Sequence, residues 1–104
     1  MLPPDTDYEE AAVAEAEEKV EQPPLFKVLL HNDDYTTMEF VVFVLESVFG
    51  MVEEEAVQVM LNVHLRGIGV AGIYPFEIAE MKVEKATALA REQEFPLLVT
   101  MEEV

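Results

Sequence analysis

Glycine, proline and polar breaks divide the chain from residue 25 onward into six short segments. LFKVLL, residues 25–30, is an apolar run rich in strand-forming residues, and it ends at the polar cluster HNDD, residues 31–34. Two helical patterns follow, each ended by a glycine, and a third begins near Pro75 between two further strand patterns. In a chain of 104 residues, this predicts a single small domain with one modest core.

The first helical pattern begins with a capping box, in which the Thr36 hydroxyl and the Glu39 carboxylate each satisfy a free backbone N–H. Three acids at residues 53–55 suit the positive end of a second helix, and Pro75 suits the first position of a third. We predict helices over residues 37–49, 53–66 and 75–93, and strands over 25–30, 68–73 and from Leu97 for about five residues. The order β-α-α-β-α-β, with short connections, favours an α+β fold in which three helices cover one face of an antiparallel three-stranded sheet.

The first 22 residues, MLPPDTDYEEAAVAEAEEKVEQ, contain eight acids against the single base Lys19 and few large apolar groups. Such a segment cannot bury enough apolar surface to order itself. We therefore predict a flexible acidic extension over residues 1–22 and a core domain over 23–104, with Pro23 and Pro24 at the junction.

Composition excludes several functional classes. The chain has no cysteine, which fits a reducing compartment and makes the cytoplasm the expected location. No signal peptide and no apolar run of about 18 residues is present, so we expect a soluble protein. A net charge of −16 argues against nucleic-acid binding, because nucleic-acid binders usually carry a basic surface. No pattern indicates an oligomer interface, so we expect a monomer.

Three motifs suggest other chemistry without establishing it. Residues 67–72 match G-x-G-x-x-G, but a helix precedes the glycines, whereas a dinucleotide site needs a strand before them and a helix after them. His31, His64 and the carboxylates at 33–34 are suitable metal ligands, although their spacing does not require a metal site. The same carboxylate pair could act as acid and base, but no nucleophile or cofactor loop accompanies it, so neither a cofactor nor enzymatic activity is expected.

The polar loop precedes a helix carrying Met38 and Val41, and the second helix presents Met60, Val63 and His64 on one face. If these faces meet, an apolar pocket lies beside Asn32, Asp33, Asp34 and His64. Carboxylate, amide oxygen and imidazole nitrogen can all accept hydrogen bonds from an ammonium group. A peptide with a free α-amino group and an apolar first side chain fits that description, although a histidine and methionines in such a pattern are more often plain structural residues.

Four segments of the chain read PPLFKVLLHNDDYTTMEFVVFVLESVF, AVQVMLNVHLRG, AGIYPFEIAEMKV and EFPLLVTMEE. Together they resemble the ClpS family, the bacterial adaptors that deliver N-degron substrates to the ATP-dependent Clp protease. The resemblance covers residues 23–104. Thr37 stands where the family usually has proline, which should loosen the helix start slightly because proline pre-sets the first turn.

The resemblance implies recognition of proteins whose first residue is Leu, Phe, Tyr or Trp. It implies that the substrate's α-amino group and first peptide unit are bound by Asn32, Asp33, Asp34, Thr36 and His64. It assigns the side-chain pocket to Met38, Val41, Met60, Val63 and Leu97. Met38 matches the family's gatekeeper against branched Ile and Val.

The resemblance also implies a second surface. Glu77, Glu80 and Lys82 match the surface that the family presents to the N-terminal domain of a ClpA-like or ClpC-like AAA+ ATPase, and the extension would help hand substrates to that ATPase. An alternative hypothesis is a pure regulator that occupies the ATPase domain without recognising substrates. Substitution of Glu77 and Lys82 would separate the two, because a regulator would be indifferent to Met38 and Asp34.

Overall fold

The computed structural model describes residues 22–104, and its order of elements is the predicted β-α-α-β-α-β. The elements are β1 (Leu25–His31), α1 (Met38–Ser47), α2 (Glu53–Arg66), β2 (Ile68–Pro75), α3 (Phe76–Glu92) and β3 (Leu98–Glu103). The predicted extension over residues 1–22 lies outside the described residues, apart from Gln22. No helix within 22–104 combines the length and apolarity needed to cross a bilayer.

The three strands form one antiparallel sheet in the order β2-β1-β3, which places β1 in the middle. β1 pairs with β2 from Leu25 opposite Pro75 to His31 opposite Ile68, and it pairs with β3 from residue 26 to residue 31. This position explains why three successive residues of the strand, 28–30, are apolar and buried. Val28 and Leu30 are fully buried, and Leu29 on the other face is 6% exposed because both neighbouring strands flank it.

The helices pack on the face of β1 that carries Val28 and Leu30, as the predicted α+β arrangement requires. α2 lies close against β2, and the contact depends on Gly69. A Cβ atom at Gly69 would lie 2.7 Å from the Val63 Cγ2 and 3.2 Å from the Val59 carbonyl oxygen. The glycines that match the dinucleotide pattern therefore lie at a helix end and in a strand, and no helix opens at them.

Two predicted helix starts are wrong by one residue. The N-cap of α1 is Thr37, whose Oγ1 accepts a hydrogen bond from the Phe40 N–H at 3.1 Å, so Thr36 is not the cap and Glu39 does not complete a capping box. Thr37, which stands where the family usually has proline, therefore contributes a side-chain cap that proline could not supply. Pro75 has an extended ψ of 157° and precedes α3, which begins at Phe76.

Candidate functional site

A cavity of about 370 Å³ lies between the polar loop after β1 and the helices α1 and α2. It brings together all five residues predicted to hold an amino group and four of the five predicted apolar residues. Two lining residues were not predicted, Tyr35 and Thr37. The full lining comprises Asn32, Asp33, Asp34, Tyr35, Thr36, Thr37, Met38, Val41, Met60, Val63 and His64.

Leu97 is the predicted pocket residue that the structure does not bring to the cavity. Its side chain is 1% exposed and belongs to the same buried core cluster as Val41 and Val63. It immediately precedes β3, at a point where an apolar pattern cannot distinguish a cavity wall from the core behind it.

Asp33 organises the polar loop. Its Oδ1 accepts hydrogen bonds from the backbone N–H groups of Tyr35 at 2.8 Å and Thr36 at 2.7 Å. Its Oδ2 accepts a third from the Thr36 hydroxyl at 2.7 Å. This is an Asx-type turn, in which a short acidic side chain replaces a backbone acceptor. Both Asp33 oxygens and the Thr36 hydroxyl proton are therefore engaged within the loop.

The pKa of Asp33 reflects this arrangement. Burial by itself would raise the pKa, but the hydrogen bonds from Thr36 and Tyr35, together with the charge of Arg91, outweigh it and lower the pKa below 3.8. Asp33 is therefore ionised at neutral pH, and its negative charge is already stabilised inside the protein.

Asp34 and His64 have a different environment. Both side chains are exposed and line the cavity. Within residues 22–104 the single salt bridge joins Lys27 and Glu102, so neither Asp34 nor His64 is paired with a cation or anion of this part of the chain. Their acceptor atoms are available to a ligand that enters the cavity mouth.

The loop is tied to the end of α2 by the backbone. The Asn32 N–H donates to the Gly67 carbonyl oxygen at 2.9 Å, and Gly67, with φ of 90°, is the left-handed C-cap of α2. A left-handed residue at this point favours glycine, because a Cβ would be strained there. His64 lies three residues before the cap, so the last turn of α2, which carries it, lies beside the loop.

The apolar wall comes from one turn of each helix. Met60, Val63 and His64 occupy positions i, i+3 and i+4 of α2 and therefore share a face. Met38, the first residue of α1, is 46% exposed, whereas Val41, one turn later, is 5% exposed. The cavity is therefore apolar at depth, polar at its mouth, and bordered by one flexible methionine at each helix.

Residues 22–104 contain no group of three or more His, Asp or Glu side chains close enough to hold a metal ion. His31, considered above as a ligand together with His64, does not line the cavity. Its Nε2 lies 2.7 Å from the Thr100 Oγ1 on β3, in a contact across the sheet.

The three residues predicted to face an ATPase lie on α3 and do not line the cavity. Glu77 and Glu80 are exposed and one turn apart. Lys82 is turned inward instead: its Nζ donates to the Val48 carbonyl oxygen at 2.7 Å and lies 5.6 Å from the Tyr74 ring centroid. Glu77 and Glu80 thus form an exposed acidic pair, whereas Lys82 contacts the C-terminal end of α1.

Comparison with known proteins agrees with this architecture. Residues 21–100 match the family model described as ATP-dependent Clp protease adaptor protein ClpS. The ATP-dependent Clp protease adapter protein ClpS of Methylococcus capsulatus is 58% identical over 92 residues, covering 88% of this chain and 87% of that protein. The protein of the same name from Myxococcus xanthus is 54% identical over 85 residues, covering 82% and 79%.

A solved structure is also similar. Agrobacterium tumefaciens ClpS2, bound to L-phenylalaninamide, superposes with a TM-score of 0.77 at 44% identity, covering 80% of this chain and all of that one. Fold and cavity together define a small α+β domain of the class of this relative, with a cavity between two helices. The chain belongs to the ClpS family of adaptors of the ATP-dependent Clp protease.

Proposed function

We propose that this adaptor captures proteins whose first residue is Leu, Phe, Tyr or Trp and delivers them to a ClpA-type or ClpC-type ATPase for degradation. The observation that carries the proposal is the pair Asp34 and His64, which line the polar mouth of an apolar cavity without a cationic or anionic partner in residues 22–104. A free α-amino group would supply the missing cation.

The proposed division of work follows from the hydrogen bonds of the loop. Asp34, Asn32 and His64 accept hydrogen bonds from the ammonium group and the first peptide unit, because their acceptor atoms face the cavity. Asp33 contributes its charge and holds the loop, since both its oxygens are already bonded. Thr36 is positioned by Asp33, and its oxygen retains a lone pair for the peptide backbone.

The apolar wall would select the first side chain. Met38, Val41, Met60 and Val63 surround a space that a Leu or aromatic side chain enters end-on. A branch at Cβ would meet Met38 at the cavity mouth, so Val and Ile should bind less well. Leu97 would act by packing behind this wall, because it is buried.

The magnitudes fit a reversible interaction. One or two charge-assisted hydrogen bonds contribute about 1.5 to 3 kcal/mol each, and a buried Leu or Phe side chain contributes about 1.5 to 3 kcal/mol. Loss of translational and rotational freedom removes several kcal/mol. The structural relative from Agrobacterium tumefaciens supports the same chemistry, because L-phenylalaninamide combines a free α-amino group with an aromatic side chain.

Glu77 and Glu80 are the residues we propose for ATPase docking, since both are exposed on α3 and neither lines the cavity. A partner surface with basic residues would complement them. Lys82 would contribute mainly through its contact with α1.

The test is fluorescence anisotropy with labelled peptides that differ only in residue one or in N-acetylation. We expect the Leu and Phe peptides to bind, the Val peptide to bind more weakly, and acetylation to abolish binding because it removes the ammonium charge. Asp34→Ala and His64→Ala should each weaken binding about 10-fold to 100-fold, as expected for loss of a hydrogen bond to a charged group.

Glu84→Ala is a matched control, because Glu84 is an exposed acid on α3 outside the cavity lining. Equal binding of free and acetylated peptides, or unaltered affinity in both cavity variants, would contradict the proposal. An adaptor that bound the ATPase N-terminal domain normally while ignoring every peptide would instead act as a regulator of the ATPase.

A further inference from the structure

A shallow groove of about 590 Å³ lies beside the cavity, and Tyr35 lines both. The other groove residues, Arg91, Glu94, Phe95 and Pro96, come from the end of α3 and the turn that follows it. A peptide whose first residue occupies the cavity and whose chain continues over Tyr35 would therefore enter this groove.

The groove is built on a tightly bonded turn. The Phe95 N–H donates to the Ala90 carbonyl oxygen at 2.8 Å. The Arg91 Nη1 donates to the carbonyl oxygens of Phe95 at 2.8 Å and Leu97 at 3.1 Å. The Phe95 ring packs on the Phe40 ring of α1 with centroids 4.9 Å apart. Because the walls are already held in place, a ligand would bind there without ordering the turn.

The chemistry of the groove favours an uncharged aromatic side chain. Tyr35 is 76% exposed although it is a large aromatic residue, and its backbone N–H is held by Asp33. Phe95 and Pro96 supply the opposite apolar surface. Arg91 and Glu94 have opposite charges, so the groove has no net preference for an acidic or a basic ligand.

We propose that this groove is a second subsite for the same substrate, which binds an aromatic side chain at position two, three or four of the peptide. The inference rests on the proposed function, since the first residue must occupy the cavity. An extended chain advances about 3.3 Å per residue, so three residues span about 10 Å, enough to pass one tyrosine side chain. L-phenylalaninamide, the ligand of the structural relative, is a single residue and reports on the first position alone.

The experiment is an anisotropy titration of the full chain with Leu-first peptides that carry Tyr in place of Ala at position two, three or four, one position at a time. We expect one position at which Tyr strengthens binding about three- to tenfold over Ala, the size of an aromatic pair contact. The quantity compared is the affinity for the Tyr peptide divided by the affinity for the Ala peptide. In Tyr35→Ala this ratio should fall towards one, even if the variant also changes the affinity for the Ala peptide. Pro96→Ala, on the opposite wall, should reduce the ratio as well.

Phe43→Ala is the matched control, because Phe43 is an exposed aromatic residue, 51% accessible, that lines a different groove. It should keep the wild-type ratio. A wild-type protein that binds Leu-first peptides with no aromatic preference at any of the three positions would overturn this inference and leave the first pocket intact.

Absence of binding to every Leu-first peptide would instead overturn the proposed function. A preference that survives Tyr35→Ala would place the aromatic side chain elsewhere. Loss of ATPase-domain binding in Tyr35→Ala, with the peptide ratio unchanged, would assign the groove to the ATPase and contradict the subsite.

Discussion

At the scale of single residues, two neighbouring aspartates have different environments. Asp33 accepts three hydrogen bonds from its own loop, while Asp34 is exposed at the cavity mouth. The first carboxylate maintains the loop conformation and the second is available to a ligand. The fold compensates one of the two adjacent negative charges by hydrogen bonds within the loop. The other has no charged partner in residues 22–104, and we propose that the ligand supplies one.

Asp33→Ala should lower the free energy of unfolding by about 1 to 2 kcal/mol at pH 7, because it leaves the Tyr35 and Thr36 amides without their acceptor. Urea denaturation of the variant and of Asp34→Ala measures this, and the second variant should unfold like the wild type. An equal effect of both substitutions would contradict the division of roles.

The same comparison has a pH dependence. Folding lowers the pKa of Asp33 below 3.8, so its ionised form stabilises the protein at pH values above about 3.8. That contribution disappears as the pH falls through the lower folded pKa. The stability difference between wild type and Asp33→Ala should therefore shrink below pH 3.8 and stay constant between pH 5 and 7.

At the scale of elements, the site depends on how closely α2 approaches β2. Gly69 permits this approach, and α2 carries Met60, Val63 and His64 to the cavity. The Asn32 to Gly67 backbone bond then fixes the end of α2 against the polar loop. A change in strand β2 can therefore alter the cavity, although Gly69 does not line it.

Gly69→Ala should destabilise the protein by about 1 to 3 kcal/mol and weaken peptide binding, since the new methyl would push against Val63 and the Val59 carbonyl. Thermal unfolding and anisotropy measure the two effects. Val70→Ala is the control in the same strand. Val70 is 43% exposed, so this substitution should lower the free energy of unfolding only slightly. If Gly69→Ala bound peptides with wild-type affinity, the close approach of α2 to β2 would not be needed for binding, which would contradict this prediction.

At the scale of the whole molecule, Lys82 joins the helix of the proposed docking surface to the helix of the cavity. Its bond to the Val48 carbonyl places a cation at the C-terminal end of α1, whose last turn contains no basic residue. A cation there is favourable because helix carbonyls leave partial negative charge at that end. Lys82 therefore stabilises the packing of α1 against α3.

Lys82→Met should lower the free energy of unfolding by about 1 kcal/mol and speed amide hydrogen exchange at Gly50 and Met51, which follow α1. Lys85→Met, an exposed lysine on the same helix, should change neither. If both variants behave alike, the bond to Val48 contributes nothing to α1. ATPase binding should be measured in Lys82→Met and in Glu77→Ala, because Glu77 makes no contact with α1 among those described. A loss in Lys82→Met alone would come from the change in α1 packing, and a loss in both variants would come from the α3 surface.

The sequence predicted the elements well where their signals are local. The bounds of α2 were correct, because the acids at its start and Gly67 at its end are strong signals. The start of α1 was wrong by one residue, since Thr36 and Thr37 are both good caps and only the hydrogen bond from Thr36 to Asp33 leaves the role to Thr37.

The sequence by itself determined the order of elements, the apolar first strand and the shared helix face of Met60, Val63 and His64, because these depend on periodicity and on neighbours along the chain. Tertiary structure decided that the first strand lies in the middle of the sheet and that the acidic loop, Met38 and His64 meet at one cavity. It also decided that Leu97 lies in the core, that Lys82 bonds to α1 and that Tyr35 lines two cavities. Those outcomes depend on which distant backbone atoms and side chains come within a few ångströms after folding. Such distances are set by packing between elements, and no local pattern records them.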